Sequence, residues 1–246
     1  MNQKRKVAII TGGSQGIGRA VAELLGATGA AVLINYVGDD APAAETIKAI
    51  ETRGGVAAAF NGDISKVANI SRMFDKCEEL FGSPDIFVAN AGTGVPPKPL
   101  EEISEDDYYF TFDVNVKGTL FCLKEAKKRL NDGGRIVVTS SSSVKYPVDG
   151  LAVYIASKAA LISLVEASVN ELAQRGITIN SVLPGLTETP MIQDHPEEFK
   201  KEVAAASPFK RLGQPEDVAE AIVFLTEERA RWISGQHILA NGGSKF

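Results

Sequence analysis

The chain has 246 residues, 44% hydrophobic and 23% charged, and 26 basic against 31 acidic side chains leave a net charge of −5. That is the make-up of a soluble globular protein, and it argues against a general nucleic-acid binder, which carries a basic surplus. No uninterrupted apolar run approaches the roughly 18 residues of a membrane span, and Cys77 and Cys122, the two cysteines, lack metal-ligand spacing and read as buried thiols in a reducing cytoplasm.

The basic start MNQKRK leads into an apolar stretch that breaks at Thr11-Gly12-Gly13, too short for the roughly 7–15-residue core of a secretory signal. From there, short runs rich in Val and Ile alternate with longer amphipathic segments. The runs predict strands over 6–10, 31–35, 56–60, 85–90, 135–140, 177–182 and 237–240. The segments between them predict helices near 17–28, 41–53, 66–81, 104–130, 153–174 and 215–226. Such alternation, with strands apolar along their whole length, is the pattern of an α/β protein whose parallel sheet is covered on both faces. No repeat or linker interrupts it, so residues 1–246 read as one domain. The irregular stretch 183–214, with Pro184, Gly185, Pro190, Pro196, Pro208 and Gly213 and a short helix within it, has the length of a lid or binding loop.

The first strand runs directly into TGGSQGIG, residues 11–18, and then into a helix. Glycines at 12, 16 and 18 permit a tight turn and close approach of backbone to ligand, and a helix N-terminus supplies unpaired N–H groups suited to a pyrophosphate. The spacing is T-G-x-x-x-G-x-G rather than G-x-G-x-x-G. About 20 residues downstream, where an acid that binds the adenine ribose is expected in NAD sites, stands Tyr36. Its absence leans toward NADP(H) over NAD(H), although no basic residue stands ready for a 2′-phosphate and Asp39 and Asp40 would repel one. Asp63 is placed to accept a hydrogen bond from adenine or to cap the next helix, and Asn90-Ala91-Gly92 closes the fourth strand beside the ribose.

Tyr154 and Lys158 are four residues apart, which stacks a phenol and an ammonium on one helix face. Ser141 lies thirteen residues upstream at the end of the fifth strand, and Asn115 lies within the long fourth helical segment. With TGGSQGIG, NAG (90–92), VNVKG around Asn115, SS (140–141), YIASK (154–158), PG…T (184–189) and NGG (241–243), the ordered set resembles the short-chain dehydrogenase/reductase family in its compact form. One departure is Ala89 before NAG, where many members carry a second asparagine.

The resemblance implies a single doubly wound, Rossmann-type domain around a seven-stranded parallel sheet, with the site at the strands' carboxyl ends. It implies a catalytic tetrad of Asn115, Ser141, Tyr154 and Lys158. Cofactor contacts fall to Gly12, Ser14, Gln15, Gly16, Ile17 and Gly18 in the turn, to Tyr36, Asp63 and Ile64, and to Asn90, Ala91 and Gly92. Tyr154, Lys158, Pro184, Gly185, Thr187 and Thr189 complete that set. Ser141, Ser143, Tyr154, Thr93 and Met191 would meet the substrate, with Leu186 near the nicotinamide and Ile192, Val148 and Tyr146 as further pocket residues. No metal is expected.

A free phenol titrates near 10, and an ammonium within a few ångströms favours phenolate, so Lys158 is expected to lower the Tyr154 value by roughly three units. Tyr154 then acts as acid in carbonyl reduction or base in alcohol oxidation, with Ser141 bonded to the same oxygen. In overall pattern, GITINSVLPG, RLGQPEDVA and SGQHILANGG resemble the 3-oxoacyl-[acyl-carrier-protein] reductases, and Arg129 and Arg175 are candidate contacts for an acidic carrier protein. Sugar- and steroid-type alcohol dehydrogenases share the same motifs. A homotetramer is implied by the resemblance, with neither nucleic acid nor membrane as partner. A cofactor-sensing protein without catalysis and a lyase-type relative are the competing classes; intact glycines, tyrosine and lysine weigh against both. His195 and His237 are expected to be structural or solvated.

Overall fold

The computed structural model describes residues 5–193 and 195–245. The strands are β1 (Val7–Thr11), β2 (Ala31–Tyr36), β3 (Val56–Asn61), β4 (Ile86–Ala89), β5 (Arg135–Thr139), β6 (Thr178–Pro184) and β7 (His237–Ala240). All pair in parallel in the order β3-β2-β1-β4-β5-β6-β7. The helices are α1 (Gly16–Ala27), α2 (Ala41–Thr52), α3 (Val67–Phe81), α4 (Glu105–Phe112), α5 (Thr119–Arg129), α6 (Ala152–Ala173), α7 (Glu197–Ala206) and α8 (Pro215–Thr226).

Alternate side chains of each strand serve opposite layers. Ile9, Leu33, Phe87 and Ile136 pack with Phe74 of α3, Leu123 of α5 and Leu161 of α6. Ile10, Ile34 and Val88 pack on the other side with Leu25 of α1, Ile50 of α2 and Ile222 of α8. Two apolar layers explain why the strands read as unbroken hydrophobic runs: neither face meets water.

Strand order reverses between β1 and β4, and at such a switch point the crevice beyond the strands' carboxyl ends is where ligands bind. One side chain ties this point together. Thr11 Oγ1, at the end of β1, accepts the amide hydrogens of Asn90 at 3.0 Å and Ala91 at 3.1 Å. Asn90 Nδ2 returns two bonds, to the carbonyls of Thr11 and Gly12, each at 3.2 Å.

Two sequence expectations need correction. The helix expected over 104–130 is broken: α4 ends at Phe112, a π-helical turn covers Asp113–Gly118, and α5 begins at Thr119. Widened turns of this kind are frequent at functional sites, and this one contains Asn115. Second, α6 is long and apolar enough to cross a membrane by length and composition. A search for uninterrupted runs misses this because Tyr154, Ser157 and Lys158 divide the segment. In the fold Ser157, Lys158, Leu161, Val165 and Leu172 form the helix's buried side.

Candidate active site

The glycine turn between β1 and α1 is a cradle for an anion. Gly12 and Gly16 hold φ of +64° and +53°. A Cβ on Gly18 would stand 2.0 Å from the Gly12 carbonyl oxygen, so only glycine lets the helix start so close to the strand. Gln15 caps α1 without a side-chain hydrogen bond, and the first turn carries no acid. The N–H groups of this first turn, at Gly16, Ile17 and Gly18, are therefore left without a side-chain acceptor, as a pyrophosphate requires. Ser14 is fixed from α2, whose Thr46 hydroxyl donates to its carbonyl at 3.2 Å.

Beyond β2, the Tyr36 hydroxyl donates to Asp40, and Asn61 Nδ2 donates to the same carboxylate oxygen at 3.2 Å. A carboxylate is thus held near the strand's end although Tyr36 occupies the acid's expected position. Asp63 spends both its oxygens on Ser65, accepting its amide at 2.8 Å and its hydroxyl at 2.6 Å. Ile64 is 4% exposed in the apolar core, which leaves its backbone to meet a ligand.

At the ends of β4 and β5 the reactive side chains converge. Asn115 cross-links the π turn to the loop after β4: its Oδ1 accepts from Thr93 N and its Nδ2 donates to Thr93 O, both at 2.8 Å. Nδ2 also donates to Ser157 Oγ at 2.9 Å, and Ser157 donates to the Tyr154 carbonyl at 2.7 Å. Ser157 was not among the sequence candidates; its place three residues after Tyr154, on the same helix face, is the signal that could have found it. Lys158 is 3% exposed and its Nζ donates to the Thr139 carbonyl at 3.0 Å. A Cβ on Gly92 would meet that Nζ at 3.0 Å and Asn115 Oδ1 at 3.3 Å, so a bare backbone at 92 lets the three groups share one space.

The electrostatics differ from the sequence expectation. Lys158 Nζ lies 5.8 Å from the Tyr154 ring centroid and is turned toward Thr139. Burial raises the Tyr154 phenol above its usual value, with the Ser141 hydrogen bond pulling the other way. Lys158, buried, is itself pushed down to about 8. Desolvation penalises each charged form, and at this separation it outweighs their attraction. Burial thus favours the neutral phenol.

Ser141 Oγ lies 2.8 Å from Ser143 Oγ, while Ser140 turns away and donates to the Lys158 carbonyl at 2.8 Å. Beside Tyr154 lies a void too small for a water molecule, lined by Val95, Lys98, Ile103, Gly150, Leu151 and Val153. The loop after β6 folds onto the glycine turn: a Cβ on Gly16 would meet Thr189 Cγ2 at 3.1 Å. Pro184 ends β6, Gly185 packs on Asn241, and Thr187 donates to the Gly185 carbonyl at 2.9 Å. Met191 and Val148 are exposed. Ile192, expected to approach substrate, is instead buried with Val203 and Leu212 in the loop's own core, against which Leu186 packs. Tyr146 lies beneath Lys145, whose Nζ is 5.7 Å from its ring centroid.

Arg129 and Arg175 are not free cations. Arg129 bonds Asp75 at 2.7 Å and Glu78 at 3.1 Å, and Arg175 bonds Asp132 at 2.8 Å and the carbonyls of Lys127 and Leu130, each at 2.5 Å. Both sit where β5 and β6 begin, away from the crevice, so their expected role toward a carrier protein loses its support. His195 packs edge-on against Phe199. His237 joins Ser181 at 2.7 Å and Glu166 at 3.2 Å. Among the described residues no group of His, Cys, Asp and Glu could hold a metal ion.

A doubly wound parallel sheet, an open helix N-terminus at its switch point and a half-buried tyrosine beside a buried lysine define a dinucleotide-binding α/β enzyme with acid–base chemistry. Residues 12–245 match the family profile described as enoyl-(acyl carrier protein) reductase. A hydroxynaphthalene reductase-like protein, Arp2 of Metarhizium acridum, is 36% identical over 97% of this chain and 94% of its own. A solved short-chain dehydrogenase/reductase from Serratia marcescens superposes with a TM-score of 0.93 at 33% identity, covering 98% of both chains. The promiscuous reductase LugOII, which catalyses keto-reduction at C1 during lugdunomycin biosynthesis, superposes at 0.92 with 34% identity, again over 98% of both. The chain belongs to the short-chain dehydrogenase/reductase family and is an oxidoreductase. That family uses NAD(P)(H).

Proposed function

We propose that the protein, acting as one domain over 1–246, reduces a ketone to a secondary alcohol. The observation that carries this reading is the Tyr154 phenol beside Ser141, with buried Lys158 5.8 Å from its ring, at the carboxyl ends of the strands. The residues fit the cofactor, since the glycine cradle leaves no room for a Cβ at position 18 and opens the first turn of α1. A nicotinamide dinucleotide bound there supplies the hydride. Tyr154 gives its proton to the carbonyl oxygen, and Ser141 donates a hydrogen bond to that oxygen as charge develops. Lys158 stands beside the phenol, where its charge limits the cost of the phenolate left behind. Asn115 holds the loop at Thr93 and the helix at Ser157 in one geometry.

For the 2′ position we infer NAD(H), reversing the lean drawn from Tyr36. What supports this is Asp40, whose carboxylate would repel a 2′-phosphate and accept from a ribose hydroxyl. Arg19, the cation on α1, is engaged by Glu23 and Glu45. The exposed apolar side chains of Val148 and Met191, both candidate pocket residues, and the keto-reducing relatives favour a ketone with an apolar or aromatic body over a sugar. Exposed Tyr108, Tyr109 and Phe110 on α4 and Leu120 on α5 support assembly with further copies, as a tetramer. Buried, unpaired Cys77 and Cys122 suit a reducing cytoplasm.

The test is the reduced-nicotinamide absorbance, followed with NADH and NADPH against aromatic ketones, β-keto esters, steroids and sugars. Turnover of ketones with NADH at least about tenfold more efficient than with NADPH is expected, and Asp40→Ala should narrow that ratio. Dinucleotide binding without turnover of any carbonyl would favour the cofactor-sensing class instead.

A further inference from the structure

Ser141 has a single proton and two lone pairs. One lone pair is taken by the Ser143 amide, which donates to Ser141 Oγ at 3.2 Å. The Ser143 hydroxyl lies 2.8 Å from the same oxygen, and the proton in that contact has two places to be. If Ser141 donates it, nothing remains for a reacting oxygen. If Ser143 donates it, both lone pairs of Ser141 are filled and its proton can go only outward.

Local structure holds the pair in place. Ser141 caps the single turn Ser142–Val144 from an extended backbone, φ −157° and ψ 145°, and Ser143 is 7% exposed. Among the described residues Ser141 is the side-chain partner of Ser143 Oγ. On its other side Ser141 lies beside Tyr154, and it lowers the phenol's value against the push of burial.

We propose that Ser143 is a positioning residue: its hydroxyl donates to Ser141 Oγ and thereby commits the only Ser141 proton to the substrate's carbonyl oxygen. This rests on the ketone-reduction reading above. Successive donation from Ser143 to Ser141 to the reacting oxygen polarises each O–H in turn. The effect is largest when that oxygen carries the most charge, so it acts on the transition state more than on the bound ketone.

The experiment is a double-mutant cycle with Ser143→Ala, Ser141→Ala and the pair, together with Ser143→Thr. Each is measured for kcat and KM with a ketone the wild type turns over, and for dinucleotide affinity by fluorescence titration. Ser143→Ala should lower kcat about tenfold with KM and dinucleotide affinity unchanged, and Ser143→Thr should restore most of it. In the Ser141→Ala background the second substitution should cost nothing further, because the group it directs is gone. Additive losses, a rise in KM at constant kcat, or weakened dinucleotide binding would each overturn the proposal and make Ser143 a substrate contact or a structural residue. Absence of ketone turnover in the wild type would remove the functional reading and this proposal together, whereas wild-type kcat in Ser143→Ala removes the proposal alone.

Discussion

Ser141 at the end of β5 and Ser181 within β6 each head a chain of polar side chains. From Ser141 the chain runs to Ser143 Oγ at 2.8 Å, beside Tyr154 and Lys158; from Ser181 it runs to His237 Nδ1 at 2.7 Å and from His237 Nε2 to Glu166 at 3.2 Å. By residue type the second chain looks the more reactive, since serine, histidine and carboxylate in that order form a hydrolytic triad. Its surroundings rule that out. Ser181 is 0% exposed inside a strand paired on both sides, so no substrate carbonyl can reach its oxygen. Ser141 stands just past its strand's end, where a loop replaces the neighbouring strand and a crevice opens. Position relative to the strand ends, more than the identity of the side chains, separates a site from a structural network.

Three measurements would break or sharpen that contrast. The largest effect is expected from Tyr154→Phe, which removes the proposed proton donor and should lower kcat by about 10²–10⁴-fold with the melting temperature little changed. Near wild-type turnover in that variant would mean that the chemistry lies elsewhere.

Lys158→Met should abolish turnover while stabilising the fold. A lysine lowered from 10.5 to about 8 costs the native state roughly 3 kcal/mol at pH 7, and losing its bond to Thr139 gives back about 1, leaving a gain of about 2 kcal/mol. The sign follows from proton counting. Between about 8 and 10.5 the unfolded chain holds a proton that the native protein has released, so wild-type stability rises with pH there. The variant's advantage should be full below about 8 and vanish toward 10.5, as urea unfolding across that range would measure. A variant less stable than wild type at pH 7 would contradict the unpaired burial of the ammonium.

The smallest effect belongs to the other chain. Ser181→Ala and His237→Gln should leave kcat within about twofold and cost about 1 kcal/mol each in unfolding free energy. A large loss of turnover would show that this network is coupled to the crevice.

The two chains were not equally visible in the sequence. Tyr154 and Lys158 announce themselves because a helix converts a spacing of four into adjacency. Ser181 and His237 are 56 residues apart and meet only through the β6–β7 register. The same distinction sorts the rest. Apolar runs located all seven strands to within two residues at either end, because burial on both faces leaves an unbroken pattern. The π turn at Asp113–Gly118 was not legible, since it answers to Thr93 and Ser157 rather than to its own periodicity. Ile192 looked like a pocket residue because its partners Val203 and Leu212 lie across a loop whose internal packing has no sequence period.

What the sequence determined alone is local: where strands and helices form, that glycine must stand where α1 meets β1, and that a phenol and an ammonium share a helix face. These depend on backbone sterics and side-chain spacing, which act over a few residues. Only the tertiary structure decided how those groups behave. Desolvation keeps the Tyr154 proton on and drives the Lys158 proton toward release, Asp40 becomes the carboxylate near the end of β2, and Arg129 and Arg175 are bound by carboxylates and carbonyls from elsewhere in the chain. Each depends on atoms brought together from distant parts of the chain, and burial and Coulomb energy count distance in space rather than along the sequence.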